Sequence, residues 1–111
     1  MDARQIRIGE NEALFRQVNE RVKQLNVGFS AVLEHGEFVC ECGDETCAER
    51  LRLTPEEYEQ VRAEPTDFIV KHGHVAPDVE EVVFENDRYQ VVRKFEGGPA
   101  ELASRRDPRA E

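Results

Sequence analysis

Three cysteines, Cys40, Cys42 and Cys47, fall within eight consecutive positions, and the 111-residue chain has no others. Their pattern, C-x-C-x4-C, lies in the polar segment Cys-Glu-Cys-Gly-Asp-Glu-Thr-Cys, whose neighbours are not core residues. Thiolates grouped in this way suit a zinc ion, which takes four soft or borderline ligands in a tetrahedron. On an extended backbone, residues i and i+2 point to the same side, so Cys40 and Cys42 can both reach one ion. Cys47 returns to it across the turn Gly43-Asp44-Glu45. The fourth position falls first to His74, in a glycine-containing loop after an apolar run. His72 in the same loop, His35 five residues before Cys40, and water or a carboxylate are the alternatives. The expected site is therefore Cys40, Cys42, Cys47 and His74 holding Zn2+.

Two other uses of the cysteines compete with zinc: thiol redox chemistry without a stable metal, and simple packing. With His74 bound, no coordination position stays open, which disfavours catalysis by metal-bound water. The zinc-deaminase pattern lacks its second half, P-C-x-x-C, and no P-loop, dinucleotide fingerprint or G-x-S-x-G sequence occurs. A Cys47–His74 dyad has no recognisable oxyanion site beside it. The expectation is a non-enzymatic protein.

The elements that must position these ligands are legible in part. Phe15, Val18, Val22, Leu25, Phe29 and Val32 recur at alternating spacings of three and four, which predicts a helix over Asn11–Leu33. Its apolar stripe packs either on the protein's own sheet or on a partner helix. Gly36 can close that helix. Phe38 to Cys40 and Leu51 to Leu53 then read as short strands of a hairpin whose turn holds the metal. Thr54-Pro55-Glu56-Glu57 is a capping box with proline at the first helical position, predicting a helix over Pro55–Ala63 that Pro65 ends. Phe68-Ile69-Val70 reads as a strand. Val82, Phe84, Tyr89 and Val91 alternate about the turn Asn86-Asp87, predicting a hairpin that pairs Phe84 with Tyr89 and Val82 with Val91 on one buried face. The fold class is α+β, with a long N-terminal helix, a zinc-stapled hairpin, a short helix and a C-terminal hairpin in a small antiparallel sheet. Residues 1–10 read as a flexible N-terminus, 11–96 as a single domain and 97–111 as a disordered tail.

Composition bounds the partners. The formal charge is -9, and it is concentrated: between Glu34 and Asp87 stand 16 acids against four bases. Such a surface repels phosphate, so nucleic acid is not an expected ligand. No run approaches a membrane span, and the N-terminus lacks the apolar core of a signal peptide. The expected location is the cytoplasm, where thiols stay reduced and serve as ligands more readily than as disulfides.

The segments Asn11-Glu12-Ala13-Leu14-Phe15-Arg16-Gln17-Val18-Asn19-Glu20-Arg21, Phe38-Val39-Cys40-Glu41-Cys42, Glu57-Tyr58 with Val61-Arg62, and Gly73-His74 resemble a family of small bacterial proteins of unassigned function. The resemblance covers nearly the whole chain except its ends. It implies a site of three cysteines and one histidine, with His74 at the matching position where the family reads proline-glycine-histidine. It brings no activity with it. Two readings follow: a regulatory or interaction module that meets a protein, or a second copy of itself, through its N-terminal helix or acidic surface; and a thiol switch whose oxidation releases the metal.

Overall fold

A computed structural model describes residues 1–28 and 36–109. Helix α1 spans Ala3–Gly28. It begins eight residues before the expected start because Asp2 caps it: the Asp2 carboxylate accepts from the Gln5 amide (2.8 Å), and the Gln5 side chain accepts from the Asp2 amide (3.1 Å). That reciprocal pair is a capping box formed by Asp and Gln. The predicted end of the helix, with Phe29, Val32 and His35, lies outside the described residues.

The strands form two small antiparallel sheets, so the α+β class and the long N-terminal helix hold. Strands β1 (Gly36–Val39) and β2 (Arg50–Leu53) make the first, pairing Phe38 with Leu51. Helix α2 (Pro55–Arg62) follows directly, with the Thr54–Glu57 capping box formed as its sequence predicts. Strands β3 (Asp67–Val70), β4 (Glu80–Glu85) and β5 (Gln90–Lys94) make the second sheet in the order β3-β5-β4. Phe38, Leu53, Tyr58, Phe68, Ile69, Val70 and Val92 form the sealed centre, and Phe38 stacks on Tyr58 with ring centroids 4.6 Å apart.

The C-terminal hairpin differs in register from its prediction. Asn86 spends its side-chain oxygen on the amides of Arg88 (2.9 Å) and Tyr89 (3.0 Å), which widens the connection to four residues. Glu85 therefore pairs with Gln90, Phe84 with Val91 and Val82 with Val92, with an irregularity between Val82 and Phe84. Tyr89 and Val91 are buried as expected, but Val82 and Phe84 are exposed, at 39% and 52%. The residues after Gly97 are not a featureless tail either. Helix α3 (Gly98–Arg105) buries Leu102 and Ala103, and its Leu102 lies so near Gly9 of α1 that a Cβ there would come within 2.5 Å of it.

Helix α1 is attached by polar residues. Glu12, Arg16 and Asn19, at helical spacing on one face, are wholly buried, while Leu14, Val18 and Leu25 stand 54%, 41% and 65% exposed. The predicted stripe is thus split: Val18 and Leu25 face outward, and Phe15 and Val22 are half-buried at its margin. Each buried polar residue has its own anchor. Lys94 Nζ donates to Glu12 (2.5 Å) and to Glu80 (3.0 Å). Arg16 donates to the carbonyls of Pro65 (2.6 Å) and Ala103 (2.7 Å) and lies over the Phe68 ring. Asn19 holds β1. A buried charge is tolerated only when it is paired in this way.

Candidate metal centre

The site is built where the chain leaves the first sheet and meets the second. The Cys40 amide still donates to the Glu49 carbonyl (3.0 Å), but the next amide, that of Glu41, donates to Ile69 of β3 (2.8 Å). This extended stretch sends Cys40 and Cys42 to one side and Glu41 to the other, as the alternation of a strand requires. The loop that returns Cys47 is shaped by Asp44, whose carboxylate accepts from the amide and hydroxyl of Thr46 (2.9 and 2.7 Å), while its carbonyl accepts from the Cys47 amide (3.0 Å). His74 arrives on the turn after β3, closed by its amide donating to Lys71 (2.9 Å). Gly73 takes a φ of 85°, a region that a side chain disfavours.

These elements bring together four of the residues singled out from the sequence. Ligand atoms of Cys40, Cys42, Cys47 and His74 all lie within 4.8 Å of one another. His74 Nδ1 is 3.6 Å from the sulfurs of both Cys40 and Cys47. Cys40 and Cys42 are buried, Cys47 and His74 partly so, and all three cysteines are free of disulfides. His72 turns away: its Nε2 meets the Asn86 carbonyl at 2.7 Å, and the ring serves the hairpin loop. His35 lies outside the described residues.

Charge is shared unequally among the thiols. A hydrogen bond from Cys40 draws Cys42 down to about 5, and the same bond, with burial, pushes Cys40 up. Burial also raises Cys47. Ionising all three needs a cation to offset their mutual repulsion. The Lys71 amide already donates to Cys40 Sγ (3.2 Å), which favours a thiolate there. A cluster of this composition and spacing can hold one metal ion.

One residue of the site was not anticipated. Glu41, between the two buried cysteines, is itself wholly buried and accepts from Asn19 Nδ2 (2.9 Å), the Tyr58 hydroxyl (2.8 Å) and the Ile69 amide (3.0 Å). Burial raises its pKa, against the opposing pull of these three donors. The available sequence signal was its position: a residue flanked by two ligands on an extended segment must face the core.

No protein-family model matches the chain, and no curated protein or solved structure is significantly similar to it. The resemblance drawn from the segments Asn11–Arg21, Phe38–Cys42, Glu57-Tyr58 with Val61-Arg62, and Gly73-His74 rests on those residues alone. Among the described residues, no helix is long and apolar enough to cross a membrane.

Proposed function

We propose that the protein is a small zinc-stapled module whose site of three cysteines and one histidine is structural and whose role is to meet another protein, in regulation, within the cytoplasm. The carrying observation is the pair of 3.6 Å separations from His74 Nδ1 to the sulfurs of Cys40 and Cys47. Zinc bonds of about 2.3 Å to sulfur and about 2.0–2.1 Å to nitrogen, at tetrahedral angles, imply a sulfur-to-nitrogen edge of about 3.5–3.6 Å. Three thiolates and one imidazole also fit zinc better than a hard cation. The interaction role draws support from α1, whose exposed Leu14, Val18 and Leu25 suit the apolar seam of a partner helix. Metal analysis of protein purified from unsupplemented medium tests the site: about one zinc per chain is expected, lost in Cys40→Ser, Cys42→Ser and His74→Ala but kept in His72→Ala. Less than stoichiometric zinc after reconstitution under reducing conditions would overturn it.

A redox switch is the second reading, favoured by access. Cys42 and His74 border an open cleft of about 430 Å3 together with Arg4, Ile8 and Pro77. Hydrogen peroxide entering there would take two electrons from two of the thiolates, forming their disulfide and leaving as two hydroxide ions, while zinc departs. Prompt and reversible zinc release at low peroxide favours this reading; zinc retention counts against it.

A further inference from the structure

The geometry around the cysteines points to Glu41 as the positioning residue of the metal site, and we infer that its carboxylate sets the aim of Cys40 and Cys42; this rests on the metal reading above. All three side-chain hydrogen bonds to the carboxylate are ones it accepts, and they come from three separate elements: Asn19 of α1, Tyr58 of α2 and Ile69 of β3. The backbone amide of Glu41 donates in addition to Ile69 O, so the residue grips β3 with both main chain and side chain. Asn19, meanwhile, holds Val39, the residue before Cys40, through both its amide and its carbonyl. The result is that the backbone between the two ligand cysteines cannot rotate or slide without breaking bonds to the helices and to the second sheet.

A thiolate pair spaced i, i+2 needs such a hold more than most ligand pairs do. Ligands two apart on extended chain have no turn of their own to fix the direction of their side chains, and a small rotation about the chain axis moves both sulfurs together. Partners that orient metal ligands are worth about 10- to 100-fold in affinity when removed. Here the orienting group reaches the ligands through the backbone they share.

Glu41→Gln tests the assignment with no change in volume. An amide in this position must set one donating NH2 against Ile69 N–H, or against Asn19 Nδ2 and the Tyr58 hydroxyl. Zinc affinity is measured by chelator competition, and the Co2+-substituted site by its ligand-field bands, in wild type, Glu41→Gln, Tyr58→Phe and Val92→Ala. Val92 is wholly buried in β5, where it pairs with Phe68 and is not one of the four ligands, and its truncation destabilises the core by leaving a cavity. The expected result is a loss of about 10- to 100-fold in zinc affinity and displaced cobalt bands in Glu41→Gln. Tyr58→Phe should change both in the same direction by less, and it serves alone if Glu41→Gln does not fold. Val92→Ala should lower the melting temperature and leave the cobalt bands where they are. Wild-type affinity and bands in Glu41→Gln, or in a folded Tyr58→Phe when the other is insoluble, overturn the role of Glu41 while leaving the metal site standing. A wild-type protein that takes up neither ion overturns both.

Discussion

Asn19 and Val39 are joined as a strand joins its neighbour: the Asn19 amide nitrogen donates to the Val39 carbonyl and its oxygen accepts from the Val39 amide, both at 2.8 Å. A helix side chain thus closes the open edge of β1. Asn19→Ala leaves both main-chain groups and Glu41 short of a partner, and its cost should be about 2–3 kcal/mol. Asn19→Asp should cost more, since a second carboxylate would face the Val39 carbonyl and Glu41. Urea unfolding of the metal-loaded protein measures both.

Removing the metal should cost stability as well as occupancy. The four ligands come from the stretch after β1, the loop before β2 and the turn after β3, so an ion there ties the two sheets together. Binding free energy in such a site is folding free energy. Treatment with a strong chelator under reducing conditions should lower the melting temperature by well over 10 °C, and stoichiometric zinc should restore it. An unchanged melting curve would contradict a structural metal.

The buried group of Glu12, Glu80 and Lys94 has two acids for one base. Burial, and then the neighbouring Glu80 carboxylate, raise the Glu12 pKa well above its ordinary 4.5, and one of its oxygens has no donor. A carboxyl whose folded-state pKa is raised favours folding while protonated, so stability falls as pH climbs from 4.5 toward the folded-state value. Glu12→Gln should flatten that decline and match or exceed wild type at neutral pH. Lys94→Met leaves the acids without their cation and should cost about 3–5 kcal/mol. Denaturant midpoints across pH 4–8 separate the two.

On the acid side, Arg88 holds Glu57 at about 2. The folded-state value is depressed, so this pair contributes its full stability above about pH 4.5 and loses it as pH falls toward 2. Melting temperatures of wild type and Glu57→Gln should differ most above pH 4.5 and converge near pH 2.

Gly43 packs against α1, where a Cβ would stand 2.5 Å from Ile8 Cγ2, and its carbonyl accepts from Asn11 (3.1 Å). Gly43→Ala must displace Ile8 and should cost about 1–3 kcal/mol by overpacking. By contrast, Leu14→Gln and Leu25→Gln, on the exposed face, should stay within about 0.5 kcal/mol in the isolated protein.

The sequence was most readable where one residue type has one physical use. The cysteines and the Thr54–Glu57 box carry their geometry in their chemistry, and both stand where expected. Helix α1 was harder, because Glu12, Arg16 and Asn19 look like a solvated face until their anchors are known, and those anchors are Lys94, two carbonyls and β1. The early start of α1 was legible in Asp2 and Gln5. The hairpin register was not, since it hangs on which amides the Asn86 side chain takes. Helix α3 has only Leu102 and Ala103 to bury, too weak a pattern to separate from a polar tail.

The polar attachment of α1 also bears on the order of folding. Its bonds reach residues 20, 22, 49, 82 and 87 positions away. The helix is synthesised before all of these anchors, the last of which follows its partner by 87 positions. Contacts of such long sequence separation slow folding relative to a helical bundle of the same size. Until β5 and α3 exist, α1 has no complete surface to dock on, so its docking belongs among the last events of folding, and during synthesis both of its faces are open to whatever binds nascent chains.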